Sequence, residues 1–238
     1  MNKYDPLEDN ISSVELIDYF GTDLTVVNAA RVSMAKESDW VYVDSPSDEL
    51  GLSEVKYQLK SSDSKLISYL AKHNHWTPFS HPTISLRIKM PIFIARQWFK
   101  HMVGFTRNEV SRRYVSDTPE VYVPVAWRAK ADNVKQGSSE NLARINDILL
   151  EDVYKHLEEA TFLYNEMISE GVCPEQVRML LPQSMYTEFV ETGSLAAYAR
   201  LCKLRLDPHA QLEVRQYAHA VHSIIEPLFP VSWEALMN

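Results

Sequence analysis

Apolar and polar positions change period several times along the chain, and each change marks an element. Alternation is strictest over residues 83–90. Ile84, Leu86 and Ile88 point one way and Ser85, Arg87 and Lys89 the other, which predicts a half-buried strand. Residues 14–20 read as a second short strand, closed by Gly21-Thr22-Asp23, which also offers a helix cap. Helical spacing places helices over 24–33, with Leu24, Val27 and Ala30 or Arg31 on one side, and over 64–73, with Leu66, Ile67 and Leu70 inward. Pro91 suits the first position of a helix over 92–102, whose Ile92, Ala95 and Phe99 share a face. Residues 73–82 (HNHWTPFSHP) fit no period and read as irregular.

The acidic, serine-rich stretch 41–55 reads as a loop, and the polar stretch 127–137 as a mobile one. A short strand is expected at 121–125. From there the pattern is helical. Ser139 can cap a long helix to about residue 170, with Leu142, Ile145, Leu149, Val153, Ala160 and Met167 inward and Gly171 ending it. Pro174 opens a short helix to about 181, stopped by Pro182. Two more helices are expected at 194–205 and 208–228, with Asp207 capping the second. The expected class is α+β. One domain over 1–238 would hold a small mixed or antiparallel sheet and a largely helical second half, since no linker divides the chain.

Composition narrows the setting. The 238 residues carry 24 Lys plus Arg against 32 Asp plus Glu, a net charge of −8. Such a chain is a poor candidate for coating nucleic acid or an anionic membrane. No run approaches the ~18 apolar residues of a membrane span. Cys173 and Cys202 are too few for a disulfide scaffold or a four-cysteine zinc site. With no signal-like N-terminus, the expected location is cytoplasmic. Six glycines leave no glycine-rich phosphate loop, so side chains must bind any phosphate.

Candidate chemistry concentrates at 96–114 (RQWFKHMVGFTRNEVSRRY), where five basic residues face one acid, Glu109. Gln97 and His101 are four apart and share a helix face. Ser111 and Arg113, two apart, point together on an extended segment, which suits a phosphate; the alternative is a solvated basic face. Arg178 and Arg205 lie among apolar neighbours and either snorkel or pair with an anion. His73, His75 and His81 hint at a metal, but no carboxylate or cysteine stands well beside them, and no metal is expected. Neither cysteine has the neighbours of a nucleophile. Trp76, Trp98, Phe99 and Phe105 can stack on a planar ring or fill the core.

In order, these residues resemble the flavin-dependent thymidylate synthases. The family signature, Arg-His-Arg then seven residues and Ser, is similar to Lys100-His101-Met102 followed by eight residues and Ser111, with Asn108-Glu109 before and Arg113-Tyr114 after. Arg96-Gln97-Trp98, Ala29-Ala30-Arg31-Val32-Ser33 and His75-Trp76-Thr77-Pro78-Phe79 with His81 also match. So do Arg178 with Leu181-Pro182 and Tyr186-Thr187, and Leu204-Arg205 with Asp207, His209-Ala210-Gln211 and Glu213.

The resemblance implies a thymidylate synthase complementing-protein-like fold and a homotetramer that methylates dUMP to dTMP. Methylenetetrahydrofolate would give the carbon, FAD would carry hydride, and NADPH would reduce it. It implies Arg205 as the catalytic residue, facing the uracil ring. It implies dUMP contacts at Gln97, Trp98, Phe99, Lys100, Glu109, Val110, Ser111, Arg112, Arg113, Arg178 and Arg205. Flavin contacts would fall at Ser33, His75, Thr77, Lys100, His101, Met102, Glu109, Ser194, Leu195, Ala196, Arg200 and His209.

The departures gather on the flavin side. Lys100 keeps charge but loses the guanidinium fork, and Met102 loses both. The loop to Ser111 is one residue longer, and Ser194, Leu195 and Ala196 replace an Asn-x-Arg pattern. Arg107 or Arg200 is the expected substitute for the charge missing at Met102. Three other readings stay open: another C5 modification such as hydroxymethylation, a non-catalytic nucleotide- or flavin-binding homologue, and single-stranded nucleic-acid binding.

Overall fold

A computed structural model describes residues 3–44, 55–131 and 138–238. In chain order its elements are β1 (Lys3–Tyr4), β2 (Ser13–Phe20), α1 (Asp23–Arg31), β3 (Val41–Asp44), β4 (Val55–Gln58), α2 (Ser61–Lys72), β5 (Thr83–Pro91), α3 (Ile92–Trp98) and β6 (Phe105–Glu109). Then come β7 (Arg128–Lys130), β8 (Ser138–Leu142), α4 (Asp147–Ser169), α5 (Pro174–Val177), β9 (Tyr186–Ser194), α6 (Leu195–Arg205), α7 (Leu212–Ile225) and α8 (Pro230–Met237). The fold is α+β. A five-stranded sheet, wholly antiparallel, runs β1-β2-β5-β9-β6.

The alternation over 83–90 lies on β5 as expected, with Ile84, Leu86, Ile88 and Met90 fully buried. α6 packs on β9, α7 on β2, and α3 on both β5 and β9; α8 bridges α1, α2 and α6. Trp98, Tyr198, Tyr217, Phe189, Phe229 and Trp233 fill the space between. Each such side chain is worth about 1.5–3 kcal/mol by burial.

Several boundaries differ from the sequence reading. The strand β9, flanked by β5 and β6, falls where no strand is expected. Its Glu191 stands opposite Leu86 on one side and Arg107 on the other, so the acid is on the core face. The Glu191 side chain has no exposure; it accepts from Trp98 Nε1 at 3.2 Å and pairs with Arg107 Nε. Burial pushes the Glu191 carboxyl up, and the Arg107 charge opposes this. The stretch 121–125 forms no strand, only a bridge from Val121 to Met185. The long helix starts at Asp147, not after Ser139, because Asn146 caps it by accepting from Leu149 N at 2.8 Å. Residues 138–142 pair with 128–130 instead.

The α3 helix stops at Trp98, and 99–104 turn back into β6. Gly104 permits that turn at φ +83, and a Cβ there would sit 2.9 Å from that of Ala197. The stretch 41–55 holds paired strands β3 and β4 at its ends, and its middle lies outside the described residues, as does most of 127–137. Asp207 does not cap α7, whose N-cap is Gln211; it accepts from His209 N instead.

Candidate active site

The edge strand β6 delivers the signature segment. Thr187 Oγ1 donates to Glu109 Oε1 at 2.6 Å and Val110 N to Glu188 O at 2.8 Å, which pins the end of the strand. The chain then turns: Tyr114 N and Val115 N both donate to Ser111 O. The extended geometry expected for Ser111 and Arg113 is therefore absent, yet their side chains still meet. Arg113 Nε donates to Ser111 Oγ at 3.3 Å. Arg178 comes from the turn after α5, its Nε donating to Glu175 O at 3.2 Å. Glu109, Val110, Ser111, Arg112, Arg113 and Arg178 line one cavity of about 480 Å³, with Tyr186 and Thr187 behind. Three guanidinium groups and a hydroxyl around one space can hold a dianion through charge-assisted hydrogen bonds.

Arg205 closes α6 and reaches back to α3. Its Nη2 donates to Gln97 O at 2.7 Å and its Nε to His101 Nε2 at 3.0 Å. A guanidinium only donates, so His101 Nε2 accepts and the ring proton sits on Nδ1. Burial, then the charges of Arg205, Arg107 and Arg200, push His101 down to about 4. It is a neutral imidazole at neutral pH. The half-buried Arg205 remains a positive charge, its own value lowered by partial burial.

A second cavity, about 450 Å³, lies against α6, where His75, Trp76, Val103 and Ala196 meet Arg200 and Lys203. A third, about 860 Å³, shares Leu70, Asn74, His75 and Trp76 with it and adds Ser33, Thr77, Arg31 and Lys65. The two adjoin through the His75-Trp76 loop. Trp76 is 58% exposed, a free aromatic face beside four basic side chains. Arg200 Nη2 donates to Val103 O at 2.8 Å, which aims it across the turn holding Met102. Arg107 is committed elsewhere: it pairs with Glu191 and lies over the Phe99 and Phe105 rings at 5.2 and 4.8 Å.

Some expected site residues stand apart. The Trp98 side chain is in the core, which leaves only its backbone to a ligand, and the half-buried Phe99 packs edge-on against Phe189. Leu195 is buried, and Ser194 caps α6 by accepting from Ala197 N at 3.2 Å. Met102 is 73% exposed and Lys100 is also exposed; neither lines the three cavities. His209 is exposed on Asp207. Sequence reasoning gave no role to Tyr186, Thr187, Gln211, Glu213 or Lys203. The first four lie in matched blocks, and that was their only signal. Among the described residues no three His, Cys, Asp or Glu side chains converge, and the His73 and His75 rings are 6.4 Å apart beside Tyr69. Both cysteines are free, Cys202 in the core with its thiol pushed up by burial. No helix among the described residues is long and apolar enough to cross a membrane.

The ordered match of these blocks is general. The family model described as thymidylate synthase complementing protein covers residues 15–231, and the chain belongs to that family. It is 36% identical over 222 residues to a flavin-dependent thymidylate synthase of Thermus thermophilus, covering 93% of this chain and 74% of that relative. It is 34% identical over 227 residues to another from Thermosipho melanesiensis, covering 94% and 90%. Among solved structures it is similar to the UMP/dUMP methylase PolB from Streptomyces cacaoi bound with 5-Br dUMP, with TM-score 0.76, 28% identity and 94% of both chains covered. The same protein bound with 5-Br UMP superposes with TM-score 0.72.

Proposed function

We propose that this chain is a flavin-dependent thymidylate synthase that methylates dUMP at C5 to give dTMP. The observation that carries the reading is the convergence of Ser111, Arg113 and Arg178 on one cavity from segments more than sixty residues apart. The nucleotide phosphate would sit there. Arg205, held by Gln97 and His101, would meet negative charge that develops on the pyrimidine; a preorganised donor of this kind is worth about 10²–10³ in rate. Glu109 would bridge nucleotide and flavin sides, and Gln97 would reach the base.

The residues present fit FAD. His75 and Trp76 offer flat faces for a ring, Thr77 and Ser33 offer hydroxyls, and Arg200 with Lys203, or Arg31 with Lys65, offers charge for phosphates. When bound, the flavin supplies hydride-transfer chemistry. His101 would stay uncharged beside it and donate only from Nδ1. Methylenetetrahydrofolate as carbon donor and NADPH as reductant complete the proposed reaction.

We further place the enzyme in the cytoplasm, where two free thiols persist, as one domain assembled into a homotetramer. The helix α4 supports assembly: of its 23 residues only Tyr164 is buried, while Ile148, Leu149, Phe162 and Leu163 are exposed. A second reading, that UMP is also a substrate, is favoured by the likeness to a methylase acting on both nucleotides.

The test is the mass of the product. Protein would be incubated with FAD, NADPH, methylenetetrahydrofolate and either dUMP or UMP. Methylated dUMP is expected, and methylated UMP would add the second reading. A hydroxymethylated product would replace the reaction, and unchanged nucleotide with a folded, flavin-saturated protein would leave a binding homologue.

A further inference from the structure

Behind Gln97 runs a chain of side chains from three elements. Arg128 in β7 grips Glu213 with two contacts, Nη1 to Oε1 and Nη2 to Oε2, both 2.8 Å. Glu213, in the first turn of α7, is only 7% exposed at its side chain and accepts from Gln211 Nε2 at 2.9 Å. Gln211, the N-cap of α7, in turn accepts from Gln97 Nε2. Burial alone would raise the Glu213 carboxyl, but hydrogen bonds from Arg128 and Gln211 and the Arg128 charge outweigh it and hold it ionised.

The order of this chain fixes the sense of each amide. An ionised carboxylate only accepts, so Gln211 must turn its NH₂ to Glu213 and its oxygen to Gln97. Gln97 must then turn its NH₂ to Gln211, which leaves its Oε1 as an acceptor with no partner among the described residues. Arg205 Nη2 is held on the backbone oxygen of the same Gln97, so the guanidinium and this acceptor meet at one residue. Donor next to acceptor complements the uracil edge, where a carbonyl oxygen flanks N3–H. Cytosine presents the inverse, a bare N3 beside an amino group, and would leave the two groups facing like partners.

We propose that Arg128, Glu213 and Gln211 are positioning residues that lock the Gln97 amide with its oxygen toward the base, and that this oxygen selects a pyrimidine carrying N3–H, uracil over cytosine. The proposal rests on the reading of Gln97 and Arg205 as base-facing. A glutamine at 213 has nearly the same shape but both donates and accepts, so it releases the constraint on Gln211 and hence on Gln97.

The experiment is calorimetric titration of the flavin-loaded full chain with dUMP, dCMP and N3-methyl-dUMP. Wild type should bind dUMP at least about a hundredfold more tightly than dCMP, and the N3-methyl analogue about tenfold or more weakly than dUMP. Glu213→Gln should narrow the dUMP-to-dCMP ratio about tenfold, while Glu213→Asp, still only an acceptor, keeps most of it. A merely structural role for Glu213 would weaken both nucleotides together and leave the ratio alone, and that result in a folded variant overturns the relay. If Glu213→Gln does not fold, the wild-type comparison decides: equal affinity for dUMP and its N3-methyl analogue overturns the proposal. Failure of wild type to bind dUMP at all removes the underlying reading and the proposal with it.

Discussion

The cavity beneath Ser111, Arg113 and Arg178 is bounded by side chains already engaged with one another, whereas the one beside Val103 and Ala196 is walled largely by carbon, with Arg200 and Lys203 as its cations. The first keeps the family signature nearly intact; the second is where Ala196 departs from it, while Lys100 and Met102 depart in the exposed turn that leads to Val103. The difference fits what each is proposed to hold. A phosphate demands several donors at short range, so one lost guanidinium costs much of the affinity. A flavin ring is held by area and stacking, and contact area can be redistributed among neighbours. The proposed nucleotide side is thus the less replaceable half.

Single substitutions can break this contrast. The largest effect is expected at Arg205, proposed to serve the reaction itself: Arg205→Ala should lower kcat by about 10²–10³ and dUMP affinity far less. Equal losses in both would make Arg205 a binding residue. Arg113→Ala should weaken dUMP about ten- to a hundredfold in a binding titration with FAD affinity unchanged; retained dUMP affinity would remove the phosphate role of its cavity. Arg200→Ala should do the reverse and less, weakening FAD a few-fold and sparing dUMP. An unchanged FAD titration would mean that Arg200 does not replace the charge missing at Met102.

The smallest effect is a pH dependence. His101 is pushed down to about 4 in the folded protein, below its ordinary 6.5. A histidine lowered on folding contributes stability that is full above about 6.5 and lost as pH falls toward 4, because the unfolded chain then binds the proton more readily. Ring-proton NMR should show one histidine still neutral near pH 5, and Arg205→Ala should move it back up. A titration near 6.5 in wild type would contradict the Arg205–His101 contact.

What the sequence disclosed depended on whether the reason for an element lay near it. The strand β5 declares itself because Ile84, Leu86 and Ile88 alternate and are buried. The α6 helix is legible over 194–205, though the cap that starts it, the Ser194 hydroxyl, comes only from the structure. The strand β9 does not, because its core-facing positions include Glu191, and a buried acid reads as a surface one until Arg107, 84 residues away, is seen opposite it. The start of α4 was misplaced because Ser139 and Asn146 are equally good caps, and pairing with Arg128–Lys130 decides between them. At the site, Ser111, Arg113 and Arg178 could be named from the motif and were found together. Gln211 and Glu213 gained a role only when the structure placed them behind Gln97.

The position of β9 in the sheet also sets the timetable of folding. Its partners β5 and β6 are complete by residue 109, but the strand that joins them ends at residue 194. On a ribosome, the inner edge of β5 therefore waits unpaired while some eighty further residues are made, an exposed edge of the kind that invites pairing with other chains. Closing the sheet across that separation is a slow, non-local step. Refolding should accordingly be limited by the docking of β9, and the cavity of Ser111, Arg113 and Arg178, with Tyr186 and Thr187 behind it, can form only at that last step.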